Sequence, residues 1–351
     1  MKRRMISDGI HGDKGIYYSI LDPTGNITAL VESRVDISRQ PEIAAGIMAR
    51  HPRVEQVGFV LYHEDIKESE VSGSGEASEE VAANRRDFVQ AELRMAGGEF
   101  CGNASMSTAA LYLIRRTEAE AKSRHYTDDS VGNNKDLPVL VRLRVSGAKD
   151  IIEVNLQTVG QDNYYAEILM PPALSIEDKD FSYGCLKGQL PLVRMEGISH
   201  IIIETKSVFS GLLRDRNVAE AAVREWCSDL EADGLGIMFT DYTGSKEWMP
   251  GPGREAVACK AGKNEAETIG LLPLVYIPAG DTVFWENSCA SGSCALGMYL
   301  TKKRKSPIDI VLDEPGGCLH VKSDIQNGRI HLGGRVRLLE NRKMSVSASG
   351  E

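Results

Sequence analysis

CGNASMSTAALYL at residues 101–113 and CASGSCALGMYL at residues 289–300 each place a cysteine directly before a run of small and apolar residues, with a serine four positions further on. Both runs carry a helical apolar pattern, so the same device occurs twice. The first four backbone N–H groups of a helix lack intrahelical partners and point outward. They attract anions and stabilise a thiolate. Cys101 and Cys289 stand where the N-caps fall, and Gly102, Ala104, Ala290 and Gly292 are small enough to let a substrate approach the backbone. Two such helix ends facing one cleft would bind a carboxylate between them and set a sulfur on either side of it. That geometry suits moving a proton from one face of a carbon to the other. A cysteine before a helix can also be a small buried hydrophobe, and on spacing alone both readings stand.

Outward from these two stretches the chain is rich in strands. Residues 16–33 read as two short strands around an Asp-Pro-Thr-Gly-Asn turn, and further strand patterns lie at 54–63, 137–145, 150–159, 163–170, 199–205, 235–242, 282–287, 308–312 and 329–339. Helical patterns are fewer, at 41–49, 102–116, 216–231 and 290–304. This mixture predicts an α+β chain with helices packed on or inside largely antiparallel sheets. A length of 351 residues leaves room for two domains. The polar stretches 67–80, 117–137 and 246–256 read as loops, and the GSG within the first is too short to cradle a phosphate.

A net charge of −9 with one basic run, KKRK at 302–305, argues against a nucleic-acid or anionic-membrane surface. That run reads as the last turn of a helix, where cations favour the dipole. No apolar run is long enough to span a bilayer, and no apolar segment follows the basic opening, so the expected compartment is cytoplasmic. Seven cysteines fit free thiols better than a disulfide scaffold, and Cys185, Cys227, Cys259, Cys294 and Cys318 read as structural. No C-x-x-C or H-E-x-x-H occurs, which disfavours a metal site.

Four stretches, in order, resemble the diaminopimelate epimerase-like family of cofactor-independent amino-acid racemases and epimerases. TGNITALV (24–31) looks like the family's Gly-Asn strand, FCGNAS (100–105) its first cysteine motif, GISH (197–200) its Gly-Asn-Pro-His signature and SCASGSCA (288–295) its second cysteine motif. The resemblance implies two pseudo-symmetric domains, each a largely antiparallel β-sheet or barrel around a central helix. One would comprise residues 1–166 with 335–351 and carry Cys101; the other would comprise 167–334 and carry Cys289. It implies a catalytic thiolate/thiol pair, Cys101 and Cys289, with the substrate carboxylate held by the backbone of Gly102, Asn103, Ser291 and Gly292. Asn26, His200 and Glu286 join them as candidate substrate contacts. It further implies no pyridoxal phosphate or other cofactor, and a possible homodimer. Preorganised N–H dipoles would stand in for an electron sink as negative charge develops on the substrate.

Two departures bear on the substrate. The family's Glu-Arg-Gly stretch before the second cysteine is absent from AGDTVFWENSCASG, and Ile198 and Ser199 replace the Asn-Pro pair. Both changes remove groups suited to a distal carboxylate. A neutral or cationic side chain fits better, with Trp285 as a nearby aromatic, and the chain resembles the histidine racemase branch in its Gly-Asn-x-Thr and Cys-Gly-Asn-Ala motifs. Diaminopimelate or another amino acid is the alternative substrate. Phenazine-biosynthesis-like isomerases lack the second thiol, proline-racemase-like enzymes keep both, and a non-catalytic amino-acid-binding protein is the rival from another class.

Overall fold

A computed structural model of the chain describes residues 15–63, 88–123, 138–243, 266–324 and 328–345. The first half of the chain builds a closed barrel of eight strands. Strands β1 (Gly15–Pro23), β2 (Thr28–Val31), β3 (Gln56–Tyr62), β4 (Ala91–Met95), β5 (Val139–Val145), β6 (Ile152–Gly160) and β7 (Asn163–Met170) pair in sequence. The last strand, β16 (Ile330–Ser345), pairs with both β7 and β1 and closes the ring. Helix α1 (Gln40–Arg50) covers the barrel from outside, with Ile43, Ala44 and Ile47 facing inward. Helix α2 (Gly102–Ser123) runs through the barrel and touches all eight strands. Every residue from Gly102 to Tyr112 is buried. A helix buried on all sides needs apolar or small residues all round, and the glycine, alanines and serines of this stretch also keep it thin enough for the barrel.

The sheet continues from β16 into the second half. Its remaining strands are β8 (Ser175–Tyr183), β9 (Leu186–Met195), β10 (Ile198–Glu204), β11 (Leu235–Asp241), β12 (Glu267–Ile277), β13 (Thr282–Trp285), β14 (Ile308–Glu314) and β15 (Gly317–Ser323). They follow the order β16-β15-β14-β12-β11-β10-β9-β8, with β13 beside β12. Helix α3 (Arg216–Asp229) packs on β11 and β12 over an apolar cluster that contains Trp226. Helix α4 (Ala290–Arg304) touches β9, β10, β11, β14, β15 and β16, and residues 292–298 are buried. A Cβ on Gly297 would lie 2.6 Å from Val321 Cγ1, so this helix can approach β15 only without a side chain there. β16 is shared: residues 330–333 pair with β15 and residues 336–345 with β1.

The four expected helices are present, although α2 extends to Ser123, into the stretch expected as a polar connection. The remainder of that connection, and the expected loops at 67–80 and 246–256, lie outside the described residues. The sheet is less uniformly antiparallel than expected, because β2–β3, β4–β5, β10–β11 and β12–β14 pair in parallel. Five strands escape the sequence patterns. β8 is exposed along most of its length and lacks an apolar face, and Pro273 interrupts β12. In β4 charged residues alternate with buried ones over only five positions, and β9 and β15 were also unexpected. The KKRK run forms the last turn and C-cap of α4, with Lys303 on Glu204 and Arg304 forked onto Glu267.

Cys101, Cys185, Cys227, Cys289 and Cys294 are free thiols, but Cys318 is disulfide-bonded, which corrects the expectation of free thiols throughout. Among the described residues no helix is long and apolar enough to cross a membrane.

Candidate active site

The N-termini of α2 and α4 meet. A Cβ on Gly102 would lie 3.1 Å from Ala290 Cβ, and Asn103 Nδ2 reaches Ser288 O at 3.4 Å across the junction. Each preceding cysteine turns its sulfur back over its own helix start. Ala104 N donates to Cys101 Sγ and Gly292 N donates to Cys289 Sγ, both at 3.4 Å. Cys289 is the N-cap of α4, with extended backbone at φ −125° and ψ 102°. A Cβ on Gly292 would sit 2.1 Å from the flexible end of Met238 and 3.2 Å from Cys289 Sγ.

Two further glycines seat the β1–β2 turn against the β14–β15 turn. Gly25 has φ +93°, a left-handed conformation that favours glycine, and a Cβ there would lie 2.3 Å from Gly316 Cα. Gly316 N in turn donates to Asn287 O at 2.7 Å, so the turn holds the segment leading into Cys289. Asn26, next in the chain, donates from Nδ2 to Ser288 O and to Glu55 Oε2, both at 3.1 Å.

The two thiols have different neighbours. Cys101 Sγ donates to Gln56 Oε1 at 2.9 Å, a neutral acceptor. Cys289 lies beside the Glu286 carboxyl, its peptide N–H donates to Glu314 Oε2 at 2.8 Å, and its Sγ is 3.6 Å from Ser291 Oγ. Glu286 acts electrostatically on both thiols. Burial pushes the Cys101 thiol up to about 12, with Glu99 and Glu286 adding to the rise and the Ala104 and Asn103 N–H groups opposing it. Burial, Glu286 and Glu314 push Cys289 well above the ordinary thiol value against the Gly292 N–H. Burial and negative charge therefore outweigh the helix ends.

The carboxyls respond to the same burial. Glu55 and Glu286 are each raised to about 7, and the fully buried Glu314 to about 8. Asn287 opposes the shift at Glu55 through a hydrogen bond, as Ser293 and the Cys289 N–H do at Glu314.

Of the residues expected from sequence, Asn26, Cys101, Gly102, Asn103, Glu286, Cys289, Ser291 and Gly292 gather at this junction. Asn26 and Asn103 use their amide N–H groups on the Ser288 carbonyl, while the buried Oδ1 of each has no hydrogen-bond partner among the described residues. His200 is fully buried and reaches the site through Ser291, whose Oγ lies 3.1 Å from its Nε2. Burial lowers His200 to about 3 and keeps the ring neutral. It fits because Gly236 stands opposite it on β11, where a Cβ would be 2.3 Å from His200 Nδ1. Trp285 is placed elsewhere: it stacks on Phe239, donates to Glu220 Oε1 at 2.8 Å and lies under Arg216, on the α3 side of the sheet. Its expected place near the substrate is thereby corrected. Gln56, Glu55 and Glu314 were not foreseen. Their link to the cysteines is made by strand pairing and not by any short motif.

The family model described as the histidine racemase CntK N-terminal domain matches residues 15–250 and 264–350. The chain belongs to this family. Among its relatives, a histidine racemase of Fusobacterium nucleatum is 28% identical over 330 residues, 93% of this chain and 95% of that protein. A histidine racemase of Staphylococcus aureus is 28% identical over 310 residues, 88% of each chain. In fold the chain is similar to a hydroxyproline epimerase from Agrobacterium vitis, solved with bound trans-4-hydroxy-L-proline, at a TM-score of 0.54 and 10% identity over 96% of this chain and 94% of that one. It is also similar to a phenazine biosynthesis protein of the PhzF family from Bacillus anthracis, at a TM-score of 0.54 and 11% identity over 95% of this chain and all of that one. Family membership makes the protein an isomerase, an amino-acid racemase.

Proposed function

We propose that this protein is a cofactor-independent histidine racemase in which Cys101 and Cys289 work from opposite faces of the α-carbon. One thiolate takes the α-proton, and the other thiol delivers a proton to the far side. The observation that carries this reading is the meeting of two helix N-termini, each with a cysteine sulfur accepting a helix N–H at 3.4 Å. The outward N–H groups of Gly102, Asn103, Ser291 and Gly292 suit a carboxylate, those of Asn103 and Gly292 being shared with the sulfurs, and they strengthen their hold as charge moves onto it.

Histidine as substrate is supported by charge and by the relatives named histidine racemases. Glu55, Glu286 and Glu314 surround the junction, and among the described residues the charged groups that raise the two thiols are carboxylates. This environment favours a cationic substrate over one with a second carboxylate. An ammonium or imidazolium entering it would favour the ionised forms of the neighbouring carboxyls and thiols. Binding would thus supply part of the drive toward the thiolate that burial opposes.

The two halves of the fold support a two-domain reading with the division near residue 167 and the last strand returning to the first domain. Along β1-β2-β3-β4-β5-β6-β7 the pairings run antiparallel, parallel, antiparallel, parallel, antiparallel, antiparallel. Along β9-β10-β11-β12-β14-β15-β16 they repeat that sequence. An outer helix follows the second strand and a central helix the fourth in each series, with β13 added in the latter.

The test is incubation of the reduced, metal-free protein with L-histidine in deuterated water, without pyridoxal phosphate, beside a panel of other L-amino acids and diaminopimelate. α-Proton loss is followed by NMR and the D-isomer by chiral chromatography. Exchange with inversion for histidine is the expected result. Exchange for diaminopimelate alone would overturn the substrate, and binding without exchange of any of them would overturn the chemistry.

A further inference from the structure

Gly292 occupies the third helical position after Cys289. In a reciprocal helix cap that position carries a glutamate whose carboxylate returns to the N–H of the cap residue. Glycine cannot supply it, and the place is already filled by Met238, 2.1 Å from where a Cβ would stand. The carboxylate arrives from another element. Glu314, the last residue of β14, accepts the Cys289 N–H on Oε2 at 2.8 Å and the Ser293 hydroxyl on Oε1. The other side of the same peptide is gripped as well, because Ser288 O accepts from Asn26 Nδ2 and Asn103 Nδ2. Just past the end of β5, the strand that follows the first central helix, Ser146 is neutral and donates to Glu99 O at 2.9 Å instead.

We propose that Glu314 is a positioning residue for Cys289, completing a split cap that fixes the cysteine's peptide plane and so aims its sulfur at the reacting carbon. The proposal rests on the two-thiol reading. The sulfur's own bond to Gly292 N closes the other half of the cap. Glu286 and Asp313 are among the titratable groups acting on Glu314, and Cys289 and Cys294 feel its charge in turn. An ionised carboxylate here holds the proton on Cys289, so removing its charge favours the Cys289 thiolate.

The experiment compares Glu314→Gln and Glu314→Ala with the native protein in full-length, folded form, checked by circular dichroism. Racemisation gives kcat and KM. Iodoacetamide labelling across a pH series, read peptide by peptide in the mass spectrometer, gives the alkylation midpoints of Cys289 and Cys101. With alanine, kcat should fall about 100-fold at little-changed KM, the scale on which a small misplacement acts. Glutamine should restore most of that loss, because its amide oxygen accepts the same N–H. In the glutamine variant the Cys289 midpoint should move to lower pH while that of Cys101 stays. Native kcat in the alanine variant, a glutamine variant no better than alanine, or a Cys289 midpoint that is absent, unmoved or shifted together with that of Cys101 would overturn the proposal. The labelling needs no turnover. A Cys289→Ser protein that still racemises would sink the two-thiol reading by itself, separately from these outcomes.

Discussion

Cys101 Sγ donates to the neutral amide oxygen of Gln56 at 2.9 Å, whereas Cys289 has the Glu286 carboxyl beside its thiol and Glu314 on its peptide N–H. Both stand at the start of a buried helix and both sulfurs accept an N–H from it. The difference lies in what faces each sulfur from neighbouring strands. In the proposed two-thiol mechanism, working on either hand calls for one thiolate and one thiol at each turnover. Unequal surroundings bear on where the proton of the proposed pair rests: once ionised, Glu286 and Glu314 favour the protonated form of Cys289, whereas the side chain that accepts from Cys101 is neutral. In that proposal two helix starts with the same sulfur-to-N–H bond serve as a resting acid and a resting base.

The comparison breaks if either thiol proves dispensable. Cys101→Ser and Cys289→Ser should each lower kcat by about 10²- to 10⁴-fold, the range of general acid–base catalysis, while KM changes little because the proposed carboxylate contacts are backbone. Initial-rate assays by chiral chromatography check this. Full activity in either variant would remove the need for a pair.

The next test concerns the seam that holds the two helix starts together. Gly25→Ala meets backbone, Gly316 Cα at 2.3 Å, and has φ +93°, whereas Gly292→Ala meets the flexible end of Met238. Gly25→Ala should cost about 1–3 kcal/mol in strain alone and more through the clash. Gly292→Ala should cost less stability but more activity, because its Cβ also crowds Cys289 Sγ at 3.2 Å. Denaturant unfolding beside kcat separates the two.

Gln56→Glu would make the first helix start resemble the second. A carboxylate on the Cys101 sulfur raises that thiol further, so the acid limb of the rate profile should move to higher pH. A shift of one pK unit, about 1.36 kcal/mol, corresponds to roughly tenfold in rate below the limb. An unmoved profile would mean that Cys101 does not set it.

The smallest effect is on stability. Glu55 and Glu286 are raised to about 7 and Glu314 to about 8, from 4.5, so the folded protein holds protons that the unfolded chain has released. Stability from these groups is fully present below about 4.5, the unfolded value, and is lost as pH rises through 7 to 8. Glu314→Gln should flatten that decline in thermal unfolding series.

Much of this was legible in the sequence because it is local. The two Cys-small-small-small-Ser starts and the Pro-Thr-Gly-Asn turn act within a few residues. What remained hidden is made by strands that bring distant positions together. Gln56 reaches Cys101 from 45 positions upstream, and Glu314 reaches Cys289 from 25 positions downstream. Trp285 misled because its neighbours in sequence are at the site, while its ring turns to the opposite side of the sheet and stacks on Phe239. The side-chain amides of Asn26 and Asn103 also hold the Ser288 carbonyl across the junction, a link between chain positions far apart in sequence.

The pairing of two thiols on opposite faces is tested most directly by following isotope during the first few per cent of L-histidine conversion in deuterated water. With separate bases, the D-histidine formed should carry solvent deuterium at its α-carbon while the remaining L-histidine keeps protium. Protium carried into the D-product, or deuterium washing into the unreacted L-isomer as fast as inversion occurs, would mean that one group both takes and returns the proton, and would contradict the account.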